Sequence, residues 1–91
     1  LSGKSLFSLV KLIKLISQKR QVLCITHQPF LAAAGQVHFK VQKNVINGLT
    51  FTSILKLTKK QERQNELIEL IGGGFDEAND YASTLLNRAA A

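Results

Sequence analysis

The 91-residue sequence holds one cysteine, one proline and one tyrosine, and neither methionine nor tryptophan. A lone thiol, Cys24, excludes an internal disulfide and fits a reducing compartment. No run of about 18 apolar residues is present to span a bilayer, and the N-terminus lacks the layout of a signal peptide, so the expected product is soluble and cytoplasmic. Carboxylates are missing from the whole of residues 1–61, which carry ten of the twelve Lys and Arg; all six acids fall in residues 62–91. That asymmetry is compatible with a polyanion partner, and equally with Lys11, Lys14, Lys19 and Arg20 forming the solvated face and end of a helix. Basic residues interleaved with aromatics, as in RNA-binding surfaces, do not occur. Neither does a Gly-x-Ser-x-Gly elbow or a pair of acids suited to proton transfer. His27 and His38 have no Cys, Asp or Glu between them, which argues against a metal site. With no initiator methionine and no strand ahead of the first helical pattern, the sequence reads as one small domain at most, cut from a longer protein.

What is present is organised by hydropathy. Leu6, Leu9, Val10, Ile13 and Ile16 recur at helical spacing, and Phe7, Leu12 and Leu15 widen the stripe. This predicts a helix over 4–17, apolar around more than half its surface, packed on a sheet and against a further element. After a polar connection, Val22-Leu23-Cys24-Ile25-Thr26 runs without alternation, the pattern of a parallel strand covered on both faces. Helix and strand then form the second half of a βαβ unit, with Cys24 as a small buried hydrophobe. Pro29 lacks the N–H of a sheet ladder and stops the strand. His27 projects beyond the strand's carboxyl end, where ligands of such sheets sit, a place suited to a phosphate contact or to a structural histidine.

Gln28 to Ala34 predicts one or two helical turns closed by Gly35. Val37, Phe39 and Val41 alternate with His38, Lys40 and Gln42, and Leu49, Phe51, Ser53 and Leu55 alternate with Thr50, Thr52, Ile54 and Lys56. Around Asn47-Gly48 these runs predict a β-hairpin over 36–57, with His38 on its exposed side. Thr58 and Gln61 read as a capping box opening a helix through Glu62, Leu67, Ile68 and Ile71, stopped by Gly72-Gly73-Gly74. A last helix is expected from about Asp76 to Arg88, with Ala78, Tyr81, Ala82, Leu85 and Leu86 buried. Gly3-Lys4-Ser5 looks like the end of a phosphate-binding P-loop, without the strand and earlier glycine that the full motif requires.

The stretch Gln21 to Lys43 resembles the histidine-switch region of the RecN family, bacterial double-strand-break repair ATPases related to SMC and ABC proteins. The elements carrying the resemblance are Thr26, His27 and Pro29, then Ala32 to Ala34 and Gly35, then His38, Phe39, Val41 and Lys43. Further on, Arg63, Glu66, Gly72 and Gly73 match the family's Arg-x-x-Glu and Leu-Gly-Gly pattern. Phe30, Gln28 and Glu69 depart from it. On this resemblance Ser2-Gly3 is the end of a D-loop, and Lys4 only imitates a P-loop lysine.

The fold class so implied is α/β, the C-terminal fragment of an ABC/SMC-type P-loop ATPase head: a βαβ remnant, an antiparallel hairpin and two C-terminal helices. Its parts are the D-loop end at 1–3, a helix at 4–17, strand and histidine switch at 22–27, hairpin at 36–57 and helices over 58–91. The resemblance implies ATP and Mg²⁺ sandwiched between two heads in the full-length protein, His27 contacting the γ-phosphate, and Ser2 and Gly3 bordering the nucleotide. It also implies DNA as a partner, no membrane, and a bacterial, nucleoid-associated location. The 91 residues alone are expected to be inactive. The competing expectation is a small non-enzymatic nucleic-acid-binding module using the basic segment.

Overall fold

A computed structural model describes residues 3–73 and 77–90. Its elements in order are α1 (Gly3–Ser17), α2 (Pro29–Ala34), β1 (His38–Ile46), β2 (Leu49–Leu57), α3 (Lys60–Leu70) and α4 (Ala78–Ala90). The mixed helix and strand content, the antiparallel hairpin and the C-terminal helices follow the sequence pattern. Ser2, Gly74 and the expected helix start at Asp76 lie outside the described residues.

The core is helical. Val10 of α1, Phe30 and Ala33 of α2, Leu67 of α3, and Ala82, Leu85, Leu86 and Ala89 of α4 form one buried cluster. On α4 the buried positions Ala78, Ala82, Leu85, Leu86 and Ala89 recur every three or four residues, so a single apolar stripe faces the other helices. Tyr81, expected in that stripe, is 51% exposed: it stands at the edge of the stripe, on the side away from Ala82 and Leu86. Phe7 and Phe30 meet with ring centroids 4.7 Å apart and tilted by 57°, and the Arg88 guanidinium lies 4.8 Å from the centroid of Phe7. The Lys14 ammonium donates to the carbonyl of Ala89, so one of the four cations expected on a solvated face instead fastens α1 to the end of α4.

The hairpin was the most local of the expectations and forms in the register His38↔Leu57 through Ile46↔Leu49. Asn47 and Gly48 both take positive φ, at 52° and 78°, the requirement of a type I′ turn whose twist matches the strands. Because directly opposed residues share a face, Phe39, Val41 and Val45 stand with Lys56, Ile54 and Thr50, while His38, Lys40 and Gln42 stand with Leu57, Leu55 and Ser53. The apolar residues of the two strands are thereby divided between the faces. Phe39, Val41 and Ile54 stay exposed, and the face holding His38, Lys40 and Gln42 is the half-buried one, turned to α3. His38 is therefore not an exposed ladder residue.

The βαβ remnant is not found. Residues 21–28 adopt no regular structure, and among the described residues the only sheet is β1 with β2. A strand exists only through a ladder, and no described strand pairs with this segment, so Leu23 and Ile25 are exposed, Ile25 to 97%. Cys24, expected inside a strand, is likewise exposed. Correspondingly α1 packs on α2 rather than on a sheet, and Leu12, Leu15 and Ile16 of its broad stripe remain in contact with solvent.

Of the two ends of α3, the first departs from its sequence signature and the second follows it. The N-cap of α3 is Lys59, one residue later than expected, and the reciprocal acid is Glu62 rather than Gln61. Its carboxylate accepts from the N–H groups of Lys59 at 2.9 Å and Thr58 at 3.2 Å, and this bonding, led by Lys59, holds Glu62 below the usual carboxylate range. At the other end Gly72, at φ 103°, donates to the Glu69 carbonyl and Gly73 donates to that of Ile68, the paired bonds of a Schellman motif.

Candidate functional site

His27 sits in the connection between α1 and α2, and the residues after it explain how it is presented. Gln28 is the N-cap of α2 and Pro29 its first residue, where a missing N–H costs nothing. The Gln28 side-chain oxygen accepts from the Phe30 N–H at 3.2 Å, and Thr26 Oγ1 accepts from the Gln28 N–H at 2.9 Å. Thr-His-Gln-Pro is thus the entry to a short helix and not the end of a strand. His27 itself is exposed, with its ring free to meet a partner from outside the segment.

Gly3 is the first residue of α1, and Gly3-Lys4-Ser5 make its opening turn on the surface. Gly3 and His27 thus stand at or beside the N-terminal ends of two helices that pack on each other. An open cleft of about 1130 Å³ lies toward the other ends of these helices, bordered by Lys14 and Arg20 with Thr26, Leu31, Val37 and His38; neither Gly3 nor His27 lines it. Among the described residues no group of three His, Cys, Asp or Glu side chains stands close enough to hold a metal ion. An exposed histidine in a stretch whose only charges are cationic fits contact with a phosphate.

A second polar cluster, unread in the sequence, joins the hairpin to α3. The Lys40 ammonium is 2.7 Å from Glu66 Oε2 and 3.1 Å from Glu69 Oε2, and these two partners, Glu66 first, raise its pKa. Arg63 and Glu66 on α3 also face His38, whose Nδ1 is buried without a hydrogen-bond partner among the described residues. The sequence does contain a signal for this: Arg63, Glu66 and Glu69 fall three apart on one helix face, and His38 and Lys40 two apart on one strand face.

Curated relatives match the chain over most or nearly all of its length. A protein of Synechocystis called DNA repair protein RecN is 35% identical over an alignment of 105 residues that takes in 99% of the chain. One from Xylella fastidiosa with the same name is 41% identical over 76 residues and 81% of the chain, and one from Bacillus subtilis 34% over 90 residues and 97%. The chain belongs to the RecN family. It spans 18%, 14% and 16% of the length of these three relatives. No family profile matches it. Among the described residues no helix of this RecN segment is long and apolar enough to cross a membrane.

The His38 environment gives the RecN segment a pH dependence of known sign. Burial first, then the Arg63 charge, lower the His38 pKa from 6.5, against a weaker upward pull from Glu66; Lys40 adds a further cation on the same strand face. The unfolded chain therefore binds a proton more readily than the folded one, and stability falls as pH drops through 6.5 toward the folded value. Urea midpoints are expected to be lower at about pH 5.5 than at about pH 7.5, and His38→Gln should remove part of that difference. Equal slopes in both proteins would refute the assignment to His38.

Proposed function

We propose that this chain is the C-terminal part of the ATPase head of a RecN-type DNA repair protein, acting in double-strand-break repair and recombination. The observation that carries the reading is the similarity of 99% of the chain to a protein named for DNA repair. In this reading His27 donates a hydrogen bond to the γ-phosphate of ATP, and Ser2 and Gly3 lie at the D-loop facing a second head. ATP supplies the phosphoanhydride whose cleavage drives the cycle. The contribution of His27 is electrostatic: a donor already in place where negative charge develops on the transferring phosphoryl group. The remainder of the head holds the other phosphates and Mg²⁺, and DNA engages the assembled protein.

The 91 residues alone are expected to show no ATP hydrolysis and only weak nucleotide affinity by titration calorimetry, while the full-length protein does both. Tight, Mg²⁺-dependent ATP binding by the isolated chain would overturn the reading and return Gly3-Lys4-Ser5 to the P-loop interpretation. Strong, steeply salt-dependent DNA binding by the isolated chain, lost on replacing Lys11, Lys19 and Arg20, would favour a nucleic-acid module instead.

A further inference from the structure

Arg63 belongs to α3, yet its guanidinium bonds outside that helix. Nη2 donates to the carbonyl of Ala33 at 3.2 Å and to that of Gly35 at 2.8 Å. Both acceptors lie at the C-terminal end of α2, where the last carbonyls have no partner within the helix and the dipole favours a cation. The chain turns tightly just past this end: the φ of Gly35 is −65°, which any residue adopts, but a Cβ there would lie 3.1 Å from the Val37 carbonyl oxygen.

A helix of six residues does not persist through propensity alone, so the place of α2 depends on what grips it. Phe30 and Ala33 bury its inner face, the Phe7 ring braces Phe30, and Arg63 closes the far end. At the near end the helix grows straight out of the histidine segment through the bonds of Thr26 and Gln28. One turn along α3, Glu66 and Glu69 hold Lys40 of the hairpin. A single helix thus grips both the hairpin and the element that starts two residues after His27.

We infer that Arg63 is a positioning residue for His27: by pinning the C-terminal carbonyls of α2 it sets where the histidine segment leaves that helix. The inference rests on the proposed contact of His27 with ATP. Misplacement by about 1 Å of a group acting on the transition state costs up to about a hundredfold in rate, whereas simple binding is less sensitive.

The test uses the full-length protein with four variants: His27→Ala, Arg63→Gln, Arg63→Lys, and His27→Ala combined with Arg63→Gln. Arg63→Gln is expected to lower kcat for ATP hydrolysis by about tenfold to a hundredfold with KM within about twofold. Arg63→Lys, which keeps a cation and donors, should lose less. The double variant should be no slower than His27→Ala, as for groups that act as a unit. Hydrogen exchange read by mass spectrometry should quicken over residues 28–36 in Arg63→Gln and stay unchanged over α4. Where Arg63→Gln fails to fold, the same cycle is run with Arg63→Lys. Additive losses in the double variant, a loss confined to KM, or unaltered exchange over 28–36 would each overturn the inference. Normal hydrolysis by His27→Ala would remove the histidine contact itself, and with it the role of Arg63; that failure is visible before Arg63 is changed.

Discussion

Replacing His27 by alanine in the full-length protein is expected to slow ATP hydrolysis by a factor on the order of 10² to 10³ while leaving ATP binding nearly intact. The split follows from the place of the residue. His27 is exposed and no part of the apolar cluster, so its removal opens no cavity and leaves the fold alone. Thr26 and Gln28, which shape the entry to α2, remain in place on either side. In the proposed reading, ground-state binding of ATP is shared with phosphate contacts elsewhere in the head, so one donor fewer is expected to change KM little. The transition state concentrates new charge on the transferring group, and there a missing positioned donor is felt in full. Single-turnover hydrolysis together with equilibrium nucleotide binding separates the two effects. An unchanged rate in the variant would eliminate His27 as the switch.

What could be read in the sequence was what short-range chemistry decides. Asn47-Gly48 imposes its turn on any flanking strands, and the periodic stripe of α4 names its own buried residues with Tyr81 as the exception. Val22 to Thr26 misled because an apolar run states only that a segment wants cover. The ladder that makes it a strand has to come from residues distant in sequence, and none of the described ones provides it. The same non-local dependence hid His38. Alternation in β1 marks two faces, but which face is covered depends on where α3 docks, and the Lys40 pairs with Glu66 and Glu69 bring it to the polar one. Apolar Phe39 and Val41 are left outside in consequence. Arg63 was legible as part of a family pattern, while its grip on the carbonyls of Ala33 and Gly35 required the packing of α3 on α2.

That division between a helical core and an uncovered hairpin predicts unequal costs for similar deletions. Leu67→Ala is expected to destabilise the chain by about 3 kcal/mol, and Ile54→Ala by less than about 1 kcal/mol, although isoleucine loses as many atoms. Leu67 is 0% exposed and is the largest side chain enclosed so completely among the described residues, whereas Ile54 on the outer hairpin face is 66% exposed. Around Leu67 the cluster includes Ala33, Ala82 and Ala89, short side chains that cannot swing inward to fill a gap, so the cavity term adds to the lost transfer energy. A chain of this length holds a total stability of roughly 5 to 14 kcal/mol, so the loss at Leu67 is a sizeable share of it. Urea unfolding should show it as a lower midpoint at constant slope. Equal losses at the two positions would mean that the hairpin face is buried in solution, and that the cluster of α1, α2, α3 and α4 does not by itself hold this segment together.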